Sequence, residues 1–138
     1  MSRRILLLAI MVIAILALSA CVTSHDYSFE VTCEQFADNS HHSEALTGEV
    51  GDKIRLEVCS DQAAAYQWEY EFTTENVVKE EDHDFEEPAQ GTAGTAGTDL
   101  WTFEAVGEGT TEIQMEYSQA GGGGSEAEWT YTITVTVE

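Results

Sequence analysis

From Tyr27 onward the sequence predicts an all-β protein, folded as a single antiparallel β-sandwich. Three observations carry that prediction. Apolar residues recur at every second position in several short segments, turn-forming residues separate those segments, and nothing after Cys21 follows a helical period. Several short alternating strands in a chain of this length must bury one face each, and two packed sheets are the usual solution.

The strands follow in order. Tyr27-Phe29-Val31-Cys33 alternate with polar residues, and Ile54-Leu56-Val58 repeat the pattern with Arg55 and Glu57 facing out. Tyr66-Trp68-Tyr70-Phe72 form an aromatic face against Gln67, Glu69 and Glu71, and Trp101-Phe103-Ala105 come next. Gly107-Glu108-Gly109 make a tight turn into Ile113-Met115-Tyr117, backed by Glu112, Gln114 and Glu116. Trp129-Tyr131-Ile133-Val135-Val137, interleaved with Thr130, Thr132, Thr134 and Thr136, close the chain. Trp68 suits the buried tryptophan of an immunoglobulin-like third strand. The expected core comprises Ile54, Leu56, Trp68, Phe103, Ile113, Met115, Ile133 and Val135.

Ahead of the strands, Met1-Ser2-Arg3-Arg4 is a basic head, followed by an apolar run from Ile5 to Leu18 and by Ser19-Ala20-Cys21. That is the layout of a signal peptide, and the run is shorter than the roughly 20 apolar residues of a spanning helix. Leu18-Ser19-Ala20-Cys21 resembles a prokaryotic lipobox, which implies a lipid on Cys21 and a protein exported and anchored to the outer face of the cell membrane. The other reading is an uncleaved anchor with Cys21 incidental. The expected division is a signal peptide over 1–20, a tether and first strand over 21–45, and the sandwich over 46–138.

The chain has 26 Asp and Glu against 5 Lys and Arg, a formal net charge of −21. Removal of the signal would leave only Lys53, Arg55 and Lys79. Nucleic acid is excluded as a partner, because binding it requires cations against phosphates. An anionic lipid surface would repel the domain, leaving the N-terminal lipid as its link to the membrane. The acidity reads either as solvation in concentrated salt, where screening removes self-repulsion, or as attraction for a basic partner. With Cys21 lipidated, Cys33 and Cys59 either form a disulfide or stay as two buried thiols. Cys33 continues the Phe29-Val31 face, whereas Cys59 is out of phase with Ile54-Leu56-Val58.

Catalytic chemistry finds no footing. His25, His41, His42 and His83 all lie in polar linking segments, with no nucleophile paired to a positioned base. His41-His42 beside Glu44 would point to opposite faces of a strand, so a solvated loop is the reading, not a metal site. Glu80-Glu81-Asp82-His83-Asp84-Phe85-Glu86-Glu87 lacks the glycine and ligand spacing of a calcium loop and is also read as solvated. No cofactor is expected, and the chain is read as a monomer that is not an enzyme.

The order of strands and loops resembles the chagasin family, immunoglobulin-like inhibitors of papain-like cysteine peptidases. In that family an apolar strand leads into an Asn-Pro-Thr-Thr-Gly loop and then an aromatic, any residue and Trp. Here Ile54 to Ser60 lead into Asp61-Gln62-Ala63-Ala64-Ala65 and Tyr66-Gln67-Trp68. A Gly-x-Gly-Gly loop is matched by Gly94-Thr95-Ala96-Gly97-Thr98, and an alanine-glycine turn by Ala105-Val106-Gly107-Glu108-Gly109. Where the family has Arg-Pro-Trp, this chain has Ser118-Gln119-Ala120-Gly121. The resemblance implies insertion of the first loop into a peptidase cleft, with the other two on its rims. It assigns contact to Asp61, Gln62, Ala63, Ala64, Ala65, Tyr66, Trp68, Gly94, Gly97, Gln119, Ala120 and Gly121. The partner it implies is a papain-like cysteine peptidase. The alternative is an exported binding or structural module of the envelope that engages another exported protein and inhibits nothing.

Overall fold

Alternation along the chain becomes two sheets packed face to face. The structure, a computed structural model, describes residues 26–61, 65–89, 96–120 and 127–138. Its elements are β1 (Asp26–Val31), α1 (Cys33–Asp38), β2 (His41–Gly48), β3 (Lys53–Ser60), β4 (Tyr66–Phe72), β5 (Val78–Glu86), β6 (Gly97–Ala105), β7 (Gly109–Gln119) and β8 (Trp129–Val137). One sheet runs β1-β3-β6-β5 and the other β2-β8-β7-β4. With β3, β6 and β5 as strands B, E and D, and β8, β7 and β4 as G, F and C, this is the immunoglobulin-like arrangement.

The sheets are mixed rather than purely antiparallel. β1 runs parallel to β3 and β2 runs parallel to β8, while the other neighbours are antiparallel. Side-chain alternation encodes which face a residue takes but not the direction of its neighbour, so the pattern could not reveal this. β1 and β2 supply an edge to each sheet and so belong to the sandwich.

Every expected core residue is buried: Ile54, Leu56, Phe103, Ile113, Ile133 and Val135 are at 0% exposure, Met115 at 1% and Trp68 at 5%. Trp101, Tyr117, Tyr131 and Phe36 join them. Each fully buried apolar side chain contributes about 1.5–3 kcal/mol.

Two segments read as solvated loops are strands. β2 holds His41, His42 and Glu44, and β5 holds the acidic run, with Val78 buried and Phe85 half-buried along its length. Both are edge strands, where charged side chains discourage pairing with another chain, so polarity there is compatible with strand structure. Helix α1 also departs from expectation. At six residues, with Phe36 its buried side chain, it is too short to display a period. Its signal was Thr32-Cys33-Glu34-Gln35, a capping box: the Gln35 N–H donates to Thr32 Oγ1 at 3.3 Å and the Thr32 N–H to Gln35 Oε1 at 2.8 Å.

At one end of the sandwich short turns are tightly fastened. The Glu49 N–H donates to the buried Asp52 carboxylate at 2.8 Å, Ala105 N–H donates to Asp52 O at 3.0 Å, and Gly51 N–H to Ala105 O at 2.8 Å. Tyr27 Oη donates to Thr47 O at 2.8 Å and ties the edges of the two sheets together. Among the described residues no helix is long and apolar enough to cross a membrane.

Candidate functional site

Strand register decides where the loops go. Ser60, the last residue of β3, pairs with Gly97, the first of β6, and Tyr66, the first of β4, pairs with Gln119, the last of β7. The bases of the 61–65, 87–96 and 120–128 connections therefore lie at one end, opposite the fastened turns.

Beneath them lies a floor of aromatic rings. Phe36 stacks on Trp129 with centroids 4.8 Å apart, Trp129 on Tyr117 at 4.7 Å, and Tyr117 on Tyr66 at 5.4 Å. Trp68 lies tilted against both Phe36 (5.4 Å) and Tyr117 (5.0 Å). Each such pair adds about 0.5–1.5 kcal/mol beyond its buried area, which makes a rigid base for loops.

The first loop is fixed at both of its ends. The Asp61 N–H donates to Tyr117 Oη at 2.7 Å, and the Ala120 N–H donates to Ala65 O at 2.8 Å, joining the first and third loops. Burial holds the Tyr117 phenol above its usual range, against the opposing influence of the Asp61 N–H. Trp68 Nε1–H donates to Cys59 O at 2.9 Å across the two sheets. Cys59 is in turn bonded to Cys33, with Cα atoms 5.1 Å apart. Its phase is explained locally: Val58, Cys59 and Ser60 are all buried, so β3 loses alternation where α1 attaches to it.

Ala65 adopts φ +60, a left-handed conformation uncommon for a residue with a Cβ. It stands where the resembling loop pattern carries glycine.

The assigned contact residues divide into three groups. Asp61, Ala65, Tyr66, Gln119 and Ala120 are partly or fully exposed at the loop end. Trp68 and Gly97 are buried and support it from below. A Cβ on Gly97 would collide with the Phe85 ring and Glu86 O, so glycine is required by the close approach of β5 to β6. Gln62, Ala63, Ala64, Gly94 and Gly121 lie outside the described residues, as does Cys21.

Sequence reasoning missed the roles of Phe36, Tyr117 and Trp129. Tyr117 and Trp129 had a signal, being aromatics at the strand ends that flank a glycine run. Among the described residues no group of three or more His, Cys, Asp and Glu could hold a metal ion. His41 Nδ1 lies 2.7 Å from Thr130 Oγ1, and His42 Nε2 lies 3.2 Å from Gln35 O. His83 stacks on Trp101 at 3.5 Å and bonds Asp99 at 2.7 Å. All three act as local fasteners.

Known proteins share this architecture. The cysteine protease inhibitor EhICP2 from Entamoeba histolytica superposes with a TM-score of 0.66 at 19% identity, covering 83% of this chain and 98% of that one. Amebosin gives 0.55 at 15% identity, with 83% and 98% covered. PbICP-C, solved in complex with falcipain-2, gives 0.53 at 12% identity, with 83% and 100% covered. At these identities the likeness is one of fold. No curated protein matches the sequence. The family model described as chagasin family peptidase inhibitor I42 matches residues 47–135, from the end of β2 to within β8. The chain belongs to the chagasin family, whose members are peptidase inhibitors and not enzymes.

Proposed function

We propose that the chain is an exported inhibitor of papain-like cysteine peptidases, tethered to the outer face of a membrane by a lipidated Cys21. Its loop end would enter the active-site cleft as a plug without chemistry. The observation that carries this reading is the register that brings three loop bases to one end over the aromatic floor. The left-handed Ala65 supports it, because it stands just before β4 where the family pattern carries glycine, the residue that takes this conformation most readily. A partner of the falcipain-2 kind, seen with PbICP-C, suits the family match.

The tether suits the same reading. β1 starts at Asp26 opposite Lys53, at the fastened end, so the chain enters the sandwich away from the loops. From Cys21 to Asp26 the chain can span at most roughly 17 Å. An eight-residue strand then carries the structure about 27 Å further. The loop end would therefore face away from the membrane, towards soluble peptidases.

Alanines and glycines replace bulky anchors in the loops, and large side chains dominate interface energy. The composition of Asp61-Gln62-Ala63-Ala64-Ala65 thus favours weak inhibition, or a module that binds another exported partner. Titration of the detergent-purified full chain against several papain-like peptidases decides between them. Competitive inhibition is expected. None at high micromolar concentration, with the fold intact, leaves the binding module. In the same preparation Cys21→Ser should move the protein into the soluble fraction or leave the signal uncleaved.

A further inference from the structure

The segment before residue 47 lies outside the span that matches the family, yet it reaches the loop end. α1 begins at Cys33 and is bonded through it to Cys59, the penultimate residue of β3. Cys59 is followed at once by Ser60 and Asp61, where the first loop starts. Its carbonyl also accepts the Trp68 indole N–H, so one residue joins α1, β3 and β4. Three residues into α1, Phe36 stacks on Trp129, which opens β8 directly after the third loop.

The helix cannot sustain itself. Six residues form too few intrahelical hydrogen bonds to offset the cost of nucleation. Its place depends on the covalent bond at Cys33 and the burial of Phe36. Exposure of the two cysteines is unequal: Cys33 lies at the surface, whereas Cys59 is 4% exposed.

We propose that the Cys33–Cys59 disulfide is a redox-controlled positioning device for the loop end, which binds its partner well when oxidised and poorly when reduced. This rests on the inhibitor reading above. A thiolate attacks Cys33 Sγ, forming a mixed disulfide there and releasing Cys59 as a thiolate that takes up a proton. A second thiolate attacks the reagent's sulfur, yielding the oxidised reagent and free Cys33. The reductant is a thiol, the same class that keeps the nucleophile of a cysteine peptidase reduced. Reduction frees α1, loosens Phe36 against Trp129 and leaves the start of the first loop without its covalent brace. Only the fraction of molecules with the loop end assembled then binds, which lowers apparent affinity by that fraction.

The test uses the full chain in detergent and papain freed of its activating thiol, under nitrogen. Four forms are compared: intact, reduced with dithiothreitol, Cys33→Ser/Cys59→Ser, and Cys33→Ala/Cys59→Val as a second variant should the serines prevent folding. The intact form should inhibit at least ~10-fold more strongly than every other folded form, the loss lying in the association rate, and reoxidation of the reduced form should restore it. Equal inhibition constants would overturn the proposal. If the intact chain inhibits no peptidase, the inhibitor reading fails and hydrogen exchange decides the device separately. Reduction should then speed exchange at the Asp61 and Ala120 amides and the Trp68 indole, with Gly51 and Ala105 unchanged. Unaltered exchange at the first three would sink it.

Discussion

The two ends of this sandwich are built on opposite principles. At the turn end the connections are short and closed by backbone bonds: Gly51 to Ala105, Asp52 to Glu49, Val106 to Val77 at 2.8 Å and Glu138 to Gly48 at 3.0 Å. At the loop end the connections are longer, rich in alanine and glycine, and held at their bases by aromatic rings, a disulfide and a few side-chain bonds. Loops on a rigid scaffold are where binding usually sits, and here the scaffold is reinforced just below them. On the proposed reading, recognition sits at the loop end alone, while both ends contribute stability.

Substitutions can break that comparison, and the largest effect is expected under the loop end. Trp68→Ala removes a buried ring, two aromatic contacts and the bond to Cys59 O. A loss of about 3–5 kcal/mol is expected from chemical denaturation. A loss below about 1 kcal/mol would mean that the floor is dispensable.

Asp52→Ala tests the other end. Asp52 is 2% exposed and accepts from the Glu49 N–H through its carboxylate, so its removal costs that charge-assisted bond, about 1.5–3 kcal/mol. Binding at the far end should be unchanged under folded conditions. A peptidase titration that weakens along with the melting temperature would show that the two ends are not independent.

Ala65→Gly sharpens the comparison in the favourable direction. A left-handed residue with a Cβ costs about 1–2 kcal/mol. Glycine relieves that but raises unfolded-state freedom by roughly 0.4–1 kcal/mol. A net gain of about 0.5–1 kcal/mol is expected in the denaturation midpoint, and a loss would place the strain elsewhere.

Much of this was legible in the sequence, for physical reasons that differ by element. β3, β4, β6, β7 and β8 announce themselves because one face of each is buried and alternation follows. β2 and β5 do not, because these two edge strands bury few of their side chains and so carry Glu44 or Asp84 without penalty, whereas β4, also an edge, buries an aromatic face. The three loops could be placed at one end by topology alone. Their support could not, since Phe36 lies far from Trp129 in sequence and meets it only through α1. The phase of Cys59 misled for the same reason. A strand that is covered on both faces at its end loses its period there, as Val58-Cys59-Ser60 shows.

A pH-dependent effect lies between the two ends, where the open edges of the sheets meet. Tyr70 Oη donates to the Glu80 carboxylate at 2.5 Å, linking β4 to β5. Burial, aided by that carboxylate, pushes the Tyr70 phenol up to about 12 from an ordinary value near 10. A folded value above the unfolded one means stability present below pH 10 and lost as pH rises through about 12. Tyr70→Phe removes this dependence, so wild type should be the more stable at pH 9, with the gap closing between pH 10 and 12. Taking the difference between the two proteins cancels the other buried phenols, Tyr117 and Tyr131, which burial also raises. Paired melting curves across that window give the answer. A constant gap would mean that Tyr70 contributes packing alone, and that the two sheets meet along this side without a hydrogen-bonded clasp.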